Sequence, residues 1–319
     1  MIYDNVTQII KDTPIVNASN TVKRLGLSGN LYVKLEYLLP GGSKKDRIAL
    51  NIINKAHERG VLAPAQPIVE LTSGNTGIAL AIVCKQTGHP FTAVMSSGNS
   101  MERVKMIKAL GADVVLVPQA KDSIKGKVSG KDLALAEEEA RRICKDTGAF
   151  MASQFDNLDN PLAHMADTAE EIYSQTKGEI DAFADFIGTG GSCAGICMGL
   201  KNKNKNILCY GVEPQNASYY ADKEYHGAHI IQGGGYYREI SFFENIKHLF
   251  DGFVKVSDEE TINLCRILSS EDSIFAGYST GANAAAAAKL LAGPLKGKNI
   301  IILANDTGLK YMSTALWDV

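Results

Sequence analysis

Hydrophobic and polar residues follow two alternating patterns along the chain. Short runs of β-branched and aromatic residues predict strands at residues 31–35, 68–71, 91–95, 113–117, 183–187, 207–212, 253–256 and 300–303. Apolar residues spaced three or four positions apart predict helices at residues 44–59, 76–86, 101–110, 131–145, 163–175, 259–269 and 282–291. Strands that alternate with helices indicate βαβ units, so the sequence predicts an α/β fold with parallel sheets.

The length of the chain predicts two domains. Its 319 residues exceed the roughly 100–200 residues of a typical single domain. A boundary near residues 149–153 gives an N-terminal domain of residues 1–150 and a C-terminal domain of residues 151–319, each with its own parallel sheet.

Composition narrows the class of protein. Hydrophobic residues make up 45% of the chain, enough for a core, and the formal net charge of −2 argues against nucleic-acid binding. No signal-peptide pattern opens the chain, and no apolar run approaches the roughly 20 residues of a membrane span. These features predict a cytoplasmic protein. Its cysteines, scattered through apolar contexts, are expected to be reduced; they are Cys84, Cys144, Cys193, Cys197, Cys209 and Cys265.

The first candidate for chemistry is the segment Pro40-Gly41-Gly42-Ser43-Lys44-Lys45-Asp46-Arg47. Ser43 is a suitable N-cap, which places Lys44 and Lys45 in the first helical turn. The helix dipole and the like charge next door both lower an ammonium pKa, and a lysine of lowered pKa can form a Schiff base. A solvated basic helix start is the commoner use of such residues, and residue types alone do not choose between the two lysines.

A second candidate follows the strand at residues 68–71. The loop Thr72-Ser73-Gly74-Asn75-Thr76-Gly77 stands before an apolar helix, and its small residues can donate hydrogen bonds to a carboxylate. An ordinary cap and turn is an equal alternative. Residues 72–76 are called the threonine loop below.

A third candidate, called the glycine loop below, is Gly188-Thr189-Gly190-Gly191-Ser192, between a strand and a helix. Its backbone N–H groups and hydroxyls suit a phosphate. A dinucleotide fingerprint is the alternative, with Glu213 as the ribose-binding acid, but Cys193 stands where the third glycine belongs. No lysine follows the glycines, which excludes a Walker A loop.

The remaining motifs are weaker. Residues 277–283 open a helix with hydroxyls that either cap it or contact a cofactor ring nitrogen. Cys193 and Cys197 lack a companion pair with metal-ligand spacing, and His226 and His229 lack an acidic partner pattern. No metal site is expected.

Together these motifs resemble the cysteine synthase and cystathionine β-synthase group of pyridoxal-phosphate enzymes, which have fold type II. In chain order the motifs are Thr13-Pro14-Ile15, Lys34-Leu35-Glu36, residues 40–43 with Lys45-Asp46-Arg47, residues 72–77, Glu102-Arg103 with residues 109–112, Gln154-Phe155 with Asn157, residues 188–192, residues 211–214, residues 277–282, and Asp306-Thr307-Gly308 with Tyr311 and Ser313-Thr314. Each motif alone is weak, but their common order and spacing are specific. The resemblance implies two parallel-sheet αβα domains, as in the tryptophan synthase β subunit, with about the first 35 residues able to pack on the C-terminal domain.

The resemblance also assigns roles on the cofactor side. Lys45 corresponds to the lysine that forms the Schiff base with pyridoxal 5'-phosphate, and Lys44 occupies a position that is usually apolar. The glycine loop corresponds to the phosphate loop, with Ser192 where threonine is commoner. Ser279 corresponds to the hydroxyl that faces the pyridine nitrogen, a neutral partner that favours β-elimination.

On the substrate side, the threonine loop corresponds to the segment that binds the substrate carboxylate, with Asn75 against the ring hydroxyl of the cofactor. Gln154 corresponds to a second carboxylate contact. The expected reaction is β-replacement through an α-aminoacrylate, with freed Lys45 as the base for the α-proton.

The first hypothesis is therefore synthesis of cysteine from O-acetyl-L-serine and sulfide. Departures from the pattern at residues 96–99 and 233–238 leave the second substrate open, with Arg238 and the nearby tyrosines as a possible receiver of a second carboxylate. The alternatives are cystathionine, lanthionine or diaminopropionate-type synthesis, sulfide release from cysteine, and a non-catalytic binding protein. The resemblance further implies a homodimer and serine acetyltransferase as a partner.

Overall fold

The computed structural model of the protein describes residues 2–72, 74–99, 101–123 and 130–318. It divides into two compact units. Unit 1 comprises Met1–Ile10 and Lys45–Asp159, and unit 2 comprises Lys11–Lys44 and Asn160–Val319. The predicted domain boundary at residue 150 falls inside unit 1, near its last residue.

The strands, in chain order, are β1 (Ile15–Asn17), β2 (Asn30–Lys34), β3 (Ile68–Leu71), β4 (Phe91–Ser96), β5 (Asp113–Val117), β6 (Phe150–Met151), β7 (Ala182–Phe186), β8 (Leu208–Pro214), β9 (Ala217–Ser218), β10 (Glu224–Tyr225), β11 (Gly252–Val256) and β12 (Asn299–Leu303). The helices are α1 (Ser19–Arg24), α2 (Lys45–Glu58), α3 (Asn75–Thr87), α4 (Met101–Ala109), α5 (Gly130–Thr147), α6 (Asp159–Ala163), α7 (Ala169–Gln175), α8 (Gly191–Lys203), α9 (Ser241–Glu244), α10 (Asp258–Asp272) and α11 (Tyr278–Ala292).

Unit 1 is built on a parallel sheet with the strand order β5-β4-β3-β6. Helix α2 presents Ile48, Ile52, Ile53 and Ala56 as a fully buried stripe, as the spacing of these residues predicts. Helix α3 is buried along most of its length, because its sequence from Ile78 to Cys84 is apolar on every side.

Unit 2 is built on a larger sheet with the order β1-β2-β12-β7-β8-β11. Only the edge strand β1 is antiparallel to its neighbour, and the other pairs are parallel. Helix α11 packs on this sheet through a run of four buried alanines, residues 284–287, whose small side chains allow close approach. The predicted α/β class with parallel sheets is confirmed.

One local prediction is wrong: Lys44 does not lie in the first turn of α2, which begins at Lys45. Ser43 lies in an antiparallel bridge with Asp306, and the backbone N–H of Lys44 donates to the carbonyl of Asn305 at 3.0 Å. Because these long-range pairings keep the backbone out of the helix, α2 begins at Lys45, and Lys44 lies outside its first turn.

The other predictions from composition can be compared with the described residues. All six cysteines are free thiols; Cys144 is half-buried and the others are buried. No helix within the described ranges is both long and apolar enough to cross a membrane. Much of the lysine-rich segment at residues 119–131 lies outside the described residues, including Lys125 and Lys127.

Candidate active site

The glycine loop of unit 2 lies where a ligand site is expected in an α/β sheet. It follows β7, and Asn305 follows β12, the parallel neighbour of β7. Ligands of such sheets bind beyond the carboxyl ends of the strands. Helix α8 begins inside the loop, at Gly191.

The glycines of this loop are required by space and by backbone conformation. Gly190 has φ of 80°, in the left-handed region. A Cβ atom at Gly191 would lie 1.8 Å from Oδ1 of Asn160. The Nδ2 group of Asn160 donates to the hydroxyl of Thr189 at 3.1 Å. First-turn N–H groups of a helix have no intrahelical acceptor, so the start of α8 at Gly191 suits the phosphate of a cofactor.

Lys44 and Asp185 form a buried ion pair next to the glycine loop. Nζ of Lys44 lies 2.8 Å and 3.0 Å from the two carboxylate oxygens of Asp185, which is fully buried in β7. The hydroxyl of Ser192 donates to Oδ2 of Asp185 at 2.6 Å, and Nδ2 of Asn283 donates to Oδ1 at 3.0 Å. Asp185 therefore connects Lys44 to the last residue of the glycine loop.

Ser279 lies on the helix that completes this network. Ser279 is half-buried in the first turn of α11, one turn before Asn283 on the same helix face. Its hydroxyl accepts a hydrogen bond from Nδ2 of Asn305 at 3.1 Å, and the backbone N–H of Asn305 donates to the hydroxyl of Thr280. Unit 2 thus brings the glycine loop and the start of α11 to the same carboxyl-end edge of its sheet, and Asn283 links α11 to Asp185.

The triple-glycine segment at residues 233–235 packs directly on the glycine loop. A Cβ atom on Gly188 would lie 2.7 Å from the carbonyl oxygen of Gly233, and one on Gly234 would lie 2.7 Å from Cα of Gly188. The backbone N–H of Gly235 donates to the carbonyl of Ile187 at 3.1 Å. Arg238, farther along this segment, is exposed, and its role in binding a second carboxylate stays a prediction.

In unit 1, the threonine loop joins β3 to α3. The hydroxyl of Thr72 accepts the backbone N–H of Gly77 at 3.0 Å, and α3 begins at Asn75 after Gly74. A Cβ atom on Gly77 would lie 2.9 Å from Cγ2 of Thr72, so this tight turn needs glycine there. The predicted site residue Ser73 lies outside the described residues.

Gln154 lies against this loop, as the predicted carboxylate site requires. Its Oε1 accepts the hydroxyl hydrogen of Thr76 at 2.7 Å, and its Nε2 donates to the carbonyl of Leu71 at 3.1 Å. Both Gln154 and Thr76 are buried. The Gln154 amide therefore bonds the residue just before the threonine loop, Leu71, and the last residue of the loop, Thr76.

Glu70, a residue not singled out from the sequence, lies beneath this arrangement. Its side chain is buried in β3, where it accepts backbone N–H groups of Ser153 and Gln154. Burial raises the pKa of Glu70 from 4.5 to about 8 against these hydrogen bonds. In the sequence, Glu70 could have been recognised as a single acidic residue in an otherwise apolar strand, Ile-Val-Glu-Leu.

Two further residues that the sequence singled out are buried or half-buried in the structure. Lys45, the first residue of α2, is half-buried in unit 1. Glu213, the residue considered as a ribose ligand, is buried at the end of β8, where its carboxylate accepts the backbone N–H groups of Tyr219, Tyr220 and Ala221. Its oxygens therefore organise a turn. No cluster of metal-ligating side chains occurs in the ranges that the structure covers.

The chain was compared with known proteins. The family model described as pyridoxal-phosphate dependent enzyme matches residues 6–306. Cysteine synthase of Staphylococcus aureus (strain N315) is 37% identical over 317 residues, which cover 98% of this chain and 97% of the relative. A solved structure of O-ureido-L-serine synthase has a TM-score of 0.89 and 34% identity, covering 100% of this chain and 96% of that one. Cysteine synthase of Entamoeba histolytica has a TM-score of 0.91 and 33% identity, covering 100% and 92%.

Proposed function

The chain belongs to the family of pyridoxal-phosphate dependent enzymes, and we propose that it makes cysteine from O-acetyl-L-serine and sulfide by β-replacement. It is an enzyme of fold type II with pyridoxal 5'-phosphate as its cofactor. The observation that carries the proposal is the similarity to cysteine synthase of S. aureus along 98% of this chain. The glycine loop supports it, because α8 begins inside this loop and the N–H groups of a helix start suit a phosphate.

The bound cofactor supplies an electron sink that acidifies Cα of the amino-acid substrate. In the proposed site, the N–H groups at the start of α8 would hold its phosphate, and Ser279 would supply a neutral hydroxyl for its ring nitrogen. Ser279 is neutral and already accepts a hydrogen bond from Nδ2 of Asn305. It would therefore not favour protonation of the ring nitrogen, as a carboxylate partner would. This limits the sink and favours loss of a β-substituent.

Lys45 is the proposed catalytic residue. Its Nζ would hold the cofactor covalently, and the amine freed when substrate binds would be the base that removes the α-proton. The same amine would return that proton to Cα and then re-form its bond to the cofactor as the product amine leaves.

The proposed site for the substrate carboxylate is the threonine loop with Gln154. The N–H groups at the start of α3 suit an anion, and Asn75 is the first residue of that helix. Thr76 and Leu71 hold the Gln154 amide from both ends, so the loop is positioned before substrate arrives. Such preorganisation reduces the entropy lost on binding.

A second candidate is β-replacement with a nucleophile other than sulfide. The observation that favours it is the similarity to O-ureido-L-serine synthase, at 34% identity over the whole chain. The segment at residues 233–238, which differs from the family pattern, supports it because this segment packs on the glycine loop.

The experiment that tests the proposal is a donor-by-acceptor screen of the purified holoenzyme. O-acetyl-L-serine, O-phosphoserine, serine and cysteine are each combined with sulfide, a thiol amino acid and hydroxyurea, and products are identified by mass spectrometry. We expect cysteine from O-acetyl-L-serine and sulfide at the highest kcat/KM. Product only with another acceptor supports the second candidate, and no turnover of any serine derivative contradicts both.

Three further proposals concern assembly and location. We propose that the protein is a homodimer, that it binds serine acetyltransferase, and that it is cytoplasmic. The support is the resemblance to cysteine synthases together with the composition of the chain. Analytical ultracentrifugation of the protein alone and mixed with serine acetyltransferase tests the first two: a monomer, or no shift on mixing, contradicts them.

A further inference from the structure

The ion pair between Lys44 and Asp185 lies in the interior of unit 2. All five residues of β7 are buried, and Asp185 carries the charge among them. A buried carboxylate is costly unless donors surround it. Here both oxygens are satisfied: Lys44 donates to each, Asn283 donates to Oδ1, and Ser192 donates to Oδ2. The side chain of Lys44 is itself only 9% exposed.

The bond from Ser192 brings this pair to the glycine loop. The hydroxyl hydrogen of Ser192 is directed at Asp185, so the serine offers its oxygen, and not its hydrogen, to the rest of the loop. Ser192 Oγ and Lys44 Nζ contact the same carboxylate oxygen, which keeps them in the immediate neighbourhood of each other. The cofactor phosphate is an anion, so an uncompensated carboxylate at this position would repel it.

We propose that Lys44 and Asp185 are positioning residues for the cofactor phosphate. Asp185 fixes the side chain of Ser192, and Lys44 cancels the carboxylate charge next to the phosphate-binding loop. This inference rests on the proposed assignment of the glycine loop to the phosphate. It also gives Lys44 a role distinct from that of Lys45: Lys44 acts through charge and through Asp185.

The test is a double-mutant cycle with two ligands. Wild type, Lys44→Met, Asp185→Asn and the double variant are treated with hydroxylamine, which releases the aldehyde from its lysine, and are then dialysed to remove the cofactor. Each full-length apoprotein is then titrated with pyridoxal 5'-phosphate and with pyridoxal, which lacks the phosphate but retains the aldehyde. Thermal melting of each apoprotein reports folding separately. A purely structural role would change the affinities for both ligands alike.

We expect Lys44→Met to weaken binding of pyridoxal 5'-phosphate by about tenfold or more, because a single uncompensated charge then faces the phosphate in a medium of intermediate dielectric constant. Pyridoxal affinity should change by less than about threefold, since no phosphate is present to feel the charge. Asp185→Asn keeps an amide oxygen that can accept from Ser192 and removes the negative charge, so it should bind pyridoxal 5'-phosphate at least as tightly as wild type. The double variant has no net charge at this position, as in wild type. Its affinity for pyridoxal 5'-phosphate should therefore lie within about threefold of that of wild type.

Parallel losses of affinity for both ligands in Lys44→Met would overturn the inference, as would unchanged binding of pyridoxal 5'-phosphate. If Lys44→Met does not fold, the double variant decides: affinity for pyridoxal 5'-phosphate far below that of wild type, with normal pyridoxal binding, contradicts charge compensation. A wild type that binds the cofactor but makes no cysteine contradicts the proposed function and leaves this cycle interpretable.

Discussion

Replacement of Glu70 by glutamine should make unit 1 less sensitive to alkaline pH. Glu70 is buried in β3, and burial raises its pKa from 4.5 to about 8. The folded protein therefore retains a proton that the unfolded chain releases. The stabilisation linked to that proton is fully present below about pH 4.5 and is lost as pH rises through about 8. Glutamine has nearly the same shape and no charge to bury.

The size of the effect follows from the shift in pKa. Each pH unit between the two pKa values changes the free energy of unfolding by about 1.4 kcal/mol. Between about pH 5.5 and 7.5, wild type should lose about 2–3 kcal/mol relative to Glu70→Gln. The free energy of unfolding of wild type should fall with rising pH in this window, and that of the variant should fall less.

The assay is urea unfolding of wild type and variant across this pH range, followed by circular dichroism. Glu138→Gln is a matched control, because Glu138 is exposed on α5 of the same unit, and its profile should run parallel to wild type. Parallel profiles for Glu70→Gln and wild type would show that Glu70 does not hold a proton in the folded state, and the argument from burial would fail.

Three other variants probe the proposed site. Lys45→Ala should lower β-replacement by about a thousandfold or more and abolish borohydride fixation of the cofactor; retained fixation would identify another lysine. Gly191→Ala should lose cofactor, measured by absorbance of the purified protein, because a Cβ atom there would lie 1.8 Å from a neighbouring side-chain oxygen, whereas Gly130→Ala has nothing within 4 Å and should retain it. Thr76→Val removes the hydrogen bond to Gln154 and should raise KM for the amino-acid substrate by about tenfold with the cofactor spectrum unchanged; an unchanged KM contradicts the positioning role.

The regular elements could be predicted from the sequence because their signals are local. The apolar stripe from Ile48 to Ala56 on α2 and the β-branched run in β5 identify a helix and a strand without tertiary information. Four short strands, β1, β6, β9 and β10, were not predicted. A strand of two or three residues has too little alternation to be recognised, and it exists because a neighbouring strand is available for pairing.

The site could be predicted only as far as its motifs are contiguous. The threonine loop and the glycine loop each carry their chemistry within a few residues. The environment of Lys44 could not be predicted, because its partner Asp185 lies 141 positions away. The placement of Lys44 in the first turn of α2 was wrong for the same reason: distant pairings of Ser43 with Asp306 and of Lys44 with Asn305 hold this segment before the helix begins. Burial of Glu70 likewise depends on tertiary packing.

The position of β12 has a consequence for how the protein forms during translation. This strand lies in the middle of the large sheet, between β2 and β7, although it is the last strand in the chain. Asn30 and Asn299, which are bonded side by side, are separated by 269 positions. At roughly 5–20 residues per second, β12 is synthesised on the order of 15–50 s after β2. Unit 1, from Lys45 to Asp159, is completed well before then, so nascent β2 and β7 are the segments that need protection from aggregation.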